Sequence, residues 1–344
     1  VPLDPEQRGR LLAAKLVALV DEARGGADPR PVVTPLPGGA GAVIEGASGN
    51  EAWVLVDAVG GLSVGAALAW STRRPMDRIT LLADGDASGP LARRAQPFDL
   101  PIEVLRIDGR AMRPASPTPA TMGDEVPAGA LELAEALVDA GAEVVIEHGS
   151  VRGEVNGLEI ARVVVADDGP RLEVGVGRHD REAFAMVHGN RPTHEALASV
   201  IATVTAERVP GRPTHPLNRL AGERWMRRWV IEHPQVVGAS NLEAVASTVD
   251  RESLHDRATA IAVGRSADGA SLVVACSVGA DLDLVPAAAD ARAVHAPDAA
   301  LLLCLPARDA HPVTHRLAAA LRRPARIVDV EEPWRADAAA SPGL

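Results

Sequence analysis

Two pairs of carboxylates in this chain stand where short strands could turn them toward one another: Glu45 with Asp57, and Glu159 with Glu173. Two or three converging carboxylate oxygens hold a hard divalent cation such as Mg2+, and a cationic side chain beside them stabilises an attacking hydroxide. That is the minimum needed to hydrolyse a phosphodiester, with Mg2+ as the implied cofactor. Taken instead as ordinary polar positions on half-exposed strands, the same four residues require no cofactor.

The cationic partner is scarce. Lys15 is the only lysine, and the pattern GxxxxGK[ST] is absent, which excludes a phosphate-loop lysine. Lys15 falls in a helical pattern over Leu11–Ala23, where Leu12, Leu16, Leu19, Val20 and Ala23 recur at helical spacing, and reads as a solvated helix-face residue. Arginine is concentrated elsewhere. Between Arg208 and Trp229, Arg208, Arg212, Arg219, Arg224, Arg227 and Arg228 stand against Glu223 alone, with Trp225 and Trp229 at i, i+4. Such a face could grip a phosphate backbone or an acidic protein partner through Arg219, Arg224, Arg227 and Arg228. Equally, a helix there could bury both tryptophans at a domain junction and solvate its arginines.

Weaker signals complete the inventory. Asp86 and Asp309 occupy equivalent strand-to-helix junctions, at the carboxyl ends of strands where open α/β sheets bind ligands; capping accounts for them as well. Asp281 and Asp283 precede a helix and read as caps before they read as metal ligands. His311 and His315 are spaced i, i+4 with no third ligand near, and His179-Asp180 reads as a turn. The glycines of Gly38–Gly41 and Gly175–Gly177 lack the dinucleotide fingerprint.

Composition narrows the classes further. The chain has 344 residues, 47% hydrophobic but only 2% aromatic, so the core must be aliphatic and base-stacking platforms are few. A net charge of −11 makes the surface as a whole repel nucleic acid and anionic membrane. Cys276 and Cys304 lie in apolar runs and read as reduced core thiols. No apolar run reaches transmembrane length, and the expectation is a cytoplasmic protein with no membrane contact.

The elements that would position these residues follow a grammar that occurs twice. Ala42–Ile107 and Ile261–Val330 both read strand, Gly/Asn/Asp turn, strand, helix, strand, helix, strand. Gly49-Asn50 matches Asp268-Gly269 and Val59-Gly60 matches Val278-Gly279 at an offset of 219, while Asp86 matches Asp309 and Pro101 matches Pro324 at an offset of 223. The middle region reads as a helix over Ala130–Ala140, then strands Glu143–Glu147, Glu154–Val165 and Arg171–Val176, and is open to being a third, partial copy. Helical segments are expected over His194–Ala206, Leu217–Glu232 and Leu242–Val249.

The unit of helix, strand, hairpin, helix and strand resembles the core of the restriction-endonuclease-like superfamily, PD-(D/E)XK, especially its RecB-like branch. The resemblance implies an acid on the first hairpin strand, here Glu45, and an E-x-K on the second, here Asp57-Ala58-Val59; Glu159 and Glu173-Val174-Gly175 occupy the same places in the middle region. In the C-terminal copy the strand end is Cys276-Ser277-Val278, and no copy has the lysine. The expectation is an α/β chain: two duplicated mixed-sheet lobes (1–110 and 251–333), a Pro-rich linker (111–128), a mixed middle (129–207), a helical connector (208–250) and a tail (334–344). Its expected role is a catalytically degenerate nuclease fold serving as a nucleic-acid-associated or protein-interaction scaffold. The alternatives are a metal-dependent nuclease or phosphodiesterase, and a small-ligand sensor at the strand ends.

Overall fold

The computed structural model describes residues 4–333 apart from 27–29, 48, 58–62, 124, 168, 178–179, 182–193, 210–214 and 250–257. Val59, Gly60, His179, Arg212 and the C-terminal tail therefore lie outside the described residues. The protein is α/β, with helices on three sheets among the described residues, and separates into two compact units. Among the described residues no helix is long and apolar enough to cross a membrane.

The first unit is residues 1–120 together with Pro312–Pro324. It opens with α1 (Pro5–Arg24), whose Leu16, Leu19 and Val20 pack on Ala40, Ala42, Ile44, Trp53 and Leu55. The sheet runs β1 (Val32–Leu36), β2 (Gly39–Gly46), β3 (Gly49–Val56), β4 (Arg78–Asp84), β5 (Ile102–Asp108) and β6 (Ala111–Pro114), in that order across the sheet. β1 pairs antiparallel with β2 and β2 antiparallel with β3, while β3, β4 and β5 are parallel through the crossover helices α2 (Val64–Ser71) and α3 (Ser88–Ala95). Parallel neighbours need such crossovers, because a tight turn can only reverse a strand. The apolar runs of β3 and β4 follow, since their residues 52–56 and 79–83 are buried. Ser63 caps α2 by accepting from the Ala66 N–H at 3.1 Å.

The remaining residues form the second unit, which holds two sheets. Helix α4 (Ala128–Asp139) covers an antiparallel sheet of β7 (Glu143–Glu147), β8 (Ser150–Val155), β9 (Leu158–Ala166) and β10 (Gly169–Val174), followed by α5 (His194–Glu207). Then come α6 (Gly222–Glu232) and a mixed sheet of β11 (Ala239–Val245), β12 (Ala260–Ser266), β13 (Ser271–Cys276), β14 (Ala300–Leu305) and β15 (Arg326–Asp329). Helix α7 (Leu284–His295) links β13 to parallel β14. The connection from β14 to β15 contains α8 (Pro312–Ala319), counted with the first unit, where Arg322 N–H donates to Pro97 O at 2.9 Å and Asp99 N–H to Ala320 O at 2.7 Å.

The order β1 to β5 and the order β11 to β15 carry the same directions: antiparallel, antiparallel, parallel, parallel. The hairpins inside them differ. Gly49 and Asn50 already belong to β3, opposite Gly46 and Glu45, whereas Asp268-Gly269 lies inside the turn Ser266–Ala270 that closes β12 and β13. These dipeptides therefore do not share a turn position.

Three sequence expectations are corrected. Leu242–Val249 is not helical: Leu242–Val245 pair with Gly264–Ile261, and sheet pairing overrides the helix propensity of Leu-Glu-Ala. Ala111–Pro114, expected as linker, form the edge strand β6, where a proline is tolerated. The run Glu154–Val165 is two strands, not one, because Asn156 and Gly157 take φ of 46° and 72° and turn the chain between them.

Candidate functional site

The first carboxylate pair is separated by its own hairpin. Glu45 lies opposite Asn50, while Asp57 follows Val56, which lies opposite Gly39. Glu45, on β2, and Asp57, just past β3, sit at opposite ends of the β2–β3 hairpin, roughly 20 Å apart at about 3.3 Å per residue. Each has a local basic partner instead. Arg8 reaches Asp57 from α1, its Nε 2.6 Å from Oδ2, and Arg74 meets Glu45 at 2.7 Å. Lys15 likewise reaches from α1 to Asp84 at the end of β4, with Nζ 2.8 and 2.9 Å from its carboxylate oxygens. Arg8 and Lys15 thus tie α1 to two strand ends.

The second pair is drawn together, but by arginine. Glu159 is 3% exposed and accepts from Arg162 Nε at 3.0 Å, Arg162 Nη2 at 3.1 Å and Arg181 Nη1 at 3.0 Å, with Arg152 Nη1 at 3.6 Å. Glu173 lies 3.2 Å from Arg171 and 3.9 Å from Arg181, so Arg181 spans both carboxylates. Burial pushes the Glu159 carboxyl up, but the adjacent Arg162, Arg152 and Arg181 overcome this and hold it below the usual carboxylate range.

Sheet register explains why so many arginines gather here. Glu143 faces Glu154 across β7 and β8, and Glu154 faces Glu159 across β8 and β9, which puts three carboxylates on one rung. Like charges so placed destabilise a sheet unless cations lie among them. Arg224 and Arg227, three residues apart on α6, supply them. Arg224 donates to Glu154 and Glu147, and Arg227 lies 3.1 Å from Glu147 and 3.3 Å from Glu154. Glu147, Glu154 and Glu159 are buried together with Arg152, Arg224 and Arg227, so three charges of each sign balance. Burial pushes the Glu147 carboxyl up, but Arg224, Arg227 and Arg152 overcome this and hold it at about 2. At the end of the rung, burial pushes Glu143 up to about 7 despite Arg228 at 2.8 Å, with Glu154 and Glu232 adding to the rise.

Three arginines of the segment Arg208–Trp229, namely Arg208, Arg224 and Arg227, are buried in the protein. Arg224 and Arg227 are buried, and half-buried Arg228 pairs with Glu143 and Glu232. Arg219 is exposed, in a short 3-10 turn. Arg208 is 1% exposed; it donates to the carbonyls of Asn156 (3.0 Å), Leu217 (2.7 Å) and Leu220 (2.8 Å) and lies 4.3 Å from the Trp225 ring centroid. Trp229 stacks on His233 at 4.7 Å.

Each of the remaining candidates has its own local setting. Asp309 is buried and accepts from the Gly279 N–H at 2.7 Å, bracing the loop after β13, whereas Asp86 is exposed. Asp281 accepts from the Asp283 N–H at 2.8 Å, a turn contact. His311 and His315 are exposed, and among the described residues no three His, Cys, Asp or Glu side chains group as metal ligands would. Cys276 and Cys304 are fully buried neighbours in the β13–β14 register.

One feature has no counterpart in sequence spacing. Glu45 borders a cleft of about 510 Å³ on the first unit that Arg30, Trp70, Arg73 and Arg74 also line. Arg73 and Arg74 adjoin one another after α2, and nothing in the sequence marks Arg30, before β1, as their neighbour. No family model, curated protein or solved structure matches the chain.

Proposed function

We propose that the protein is a catalytically degenerate nuclease-fold chain that serves as an interaction scaffold. The observation that carries this reading is the environment of Glu159, whose carboxylate is engaged by Arg162 and Arg181 at 3.0 Å, with Arg152 at 3.6 Å. Guanidinium groups occupy its oxygens, and a divalent cation brought there would meet positive charge at close range. The other carboxylate pair, Glu45 and Asp57, is parted along β3. The element order of the first unit agrees with the order on which the likeness to the restriction-endonuclease-like superfamily rests. The matching directions of β11 to β15 support an origin by duplication.

Burial of Arg224 and Arg227 removes the basis for a nucleic-acid face on α6 and leaves a protein partner as the better form of the scaffold reading. Leu131 and Val138, one above the other on α4, are exposed apolar side chains of the kind such a contact would cover. The experiment is incubation of the purified protein with DNA and RNA in Mg2+ or Mn2+. The expected result is no metal-stimulated cleavage; cleavage that disappears in Asp57→Ala, Glu159→Gln or Glu173→Ala would overturn the proposal.

A further inference from the structure

The cleft bordered by Glu45 has the size and chemistry of a ligand site. At about 510 Å³ it falls within the ~300–1,000 Å³ of small-molecule pockets and is far too small for a duplex. Arg30 precedes β1, and Arg73 and Arg74 follow α2; all three are exposed. Glu45 compensates Arg74 at 2.7 Å, whereas among the described residues Arg30 and Arg73 have no ion-pair partner. In a chain of net charge −11, two guanidiniums without an ion-pair partner among the described residues make this concavity locally basic.

The other wall is apolar and fixed. Trp70, half-buried at the end of α2, sets the six-membered part of its indole against Gly41 of β2. A Cβ at position 41 would lie 2.6 Å from Cη2 and Cζ2 of that ring, so only glycine leaves the ring its seat. Exposed Val32 and half-buried Met76 extend the wall. A rigid aromatic surface beside a pair of guanidiniums suits a ligand with a flat apolar body and an anionic end.

We propose that this cleft binds a free nucleotide, with its base on the Trp70 and Val32 wall and its phosphates between Arg30 and Arg73. Glu45, at the rim, offers acceptor oxygens to the ribose hydroxyls. A mononucleotide fits the volume, and the chain's net charge of −11 disfavours a longer polyanion. The proposal goes beyond the scaffold reading and does not rest on it, since binding requires no hydrolysis.

Isothermal titration of the full chain with AMP, ADP and ATP tests it, with inorganic pyrophosphate and a short single-stranded RNA as comparison arms. The expected result is saturable binding of ADP and ATP, tighter than pyrophosphate or RNA. Arg73→Glu and Arg30→Glu should each weaken it about ten-fold or more. Trp70→Leu should abolish the advantage of ADP over pyrophosphate. If Trp70→Leu proves unfolded by circular dichroism, the two substitutions at exposed arginines decide the question. Equal affinity for pyrophosphate and ADP, preference for RNA, absence of saturable binding, or indifference to both arginine substitutions would each overturn the proposal.

Discussion

Arg227 Nη1 lies 3.1 Å from Oε1 of Glu147, although the two residues are 80 positions apart in sequence. The contact fastens α6 to the end of β7. Met226 and Val230 of the same helix pack into the core of the third sheet with Val274, Cys276 and Cys304. One helix is therefore shared by two sheets of the second unit, gripped by charge on one side and by apolar packing on the other.

Removing one member of the charge cluster leaves another buried without its counter-ion. Arg227→Met is expected to cost about 3–5 kcal/mol, read as a lower urea midpoint at unchanged slope. Replacing Glu147, Glu154, Arg224 and Arg227 together with apolar residues of similar size should cost far less than the single change. A single substitution within about 0.5 kcal/mol of wild type would mean that the cluster does not hold the helix.

The pH dependence has two parts with opposite signs. Glu147, held at about 2 against an ordinary value of 4.5, contributes stability that is present above 4.5 and is lost as the pH falls toward 2. Glu143, pushed up to about 7 from 4.5, keeps its proton in the folded state after the unfolded chain has lost it, so its contribution is present below 4.5 and is lost as the pH rises to 7. Thermal melts should show Glu143→Gln gaining on wild type across that upper window and matching it near pH 4. A wild-type and variant difference that is flat between pH 4 and 8 would contradict the burial of Glu143.

Gly157 is a second pin on α6. Its φ is 72°, and a Cβ there would lie 2.4 Å from the Arg224 carbonyl carbon and 2.5 Å from the Trp225 nitrogen. Gly157→Ala therefore combines left-handed strain with a backbone clash, and is expected to destabilise by about 2–4 kcal/mol. Gly269→Ala, at φ 86° with open space around the added Cβ, should cost only the strain, about 1–2 kcal/mol. Chemical denaturation of the two variants side by side checks the difference.

The thiols give a simple accessibility check. The hydrogen bond with Cys276, made by the protonated Cys304 thiol, and complete burial both push that thiol well above its ordinary range, so it is protonated and unreactive. Native protein should show no thiol reaction with Ellman's reagent, and denatured protein should show both cysteines reacting.

The α/β class and most strands were legible because apolar runs such as Ile79–Ala83 and Leu301–Leu305 admit few other readings. Asn156-Gly157 carries a hairpin signal, but the apolar residues on both sides also read as one long strand, which hides the rung Glu143–Glu154–Glu159. The charge cluster is illegible for a different reason. Arg224 and Arg227 look like a solvated basic face until the carboxylates that meet them, 70 and 80 positions away, are brought in by the fold. Trp70 and Arg30 are likewise joined only by the packing of α2 against β2.

The central claim, that Glu159 and its neighbours serve the fold and hold no catalytic cation, is tested most directly by titrating the protein with Mn2+ and following free Mn2+ by electron paramagnetic resonance. The account predicts no saturable site and an unchanged melting temperature in millimolar Mn2+. A saturable site that disappears in Glu159→Gln would contradict it.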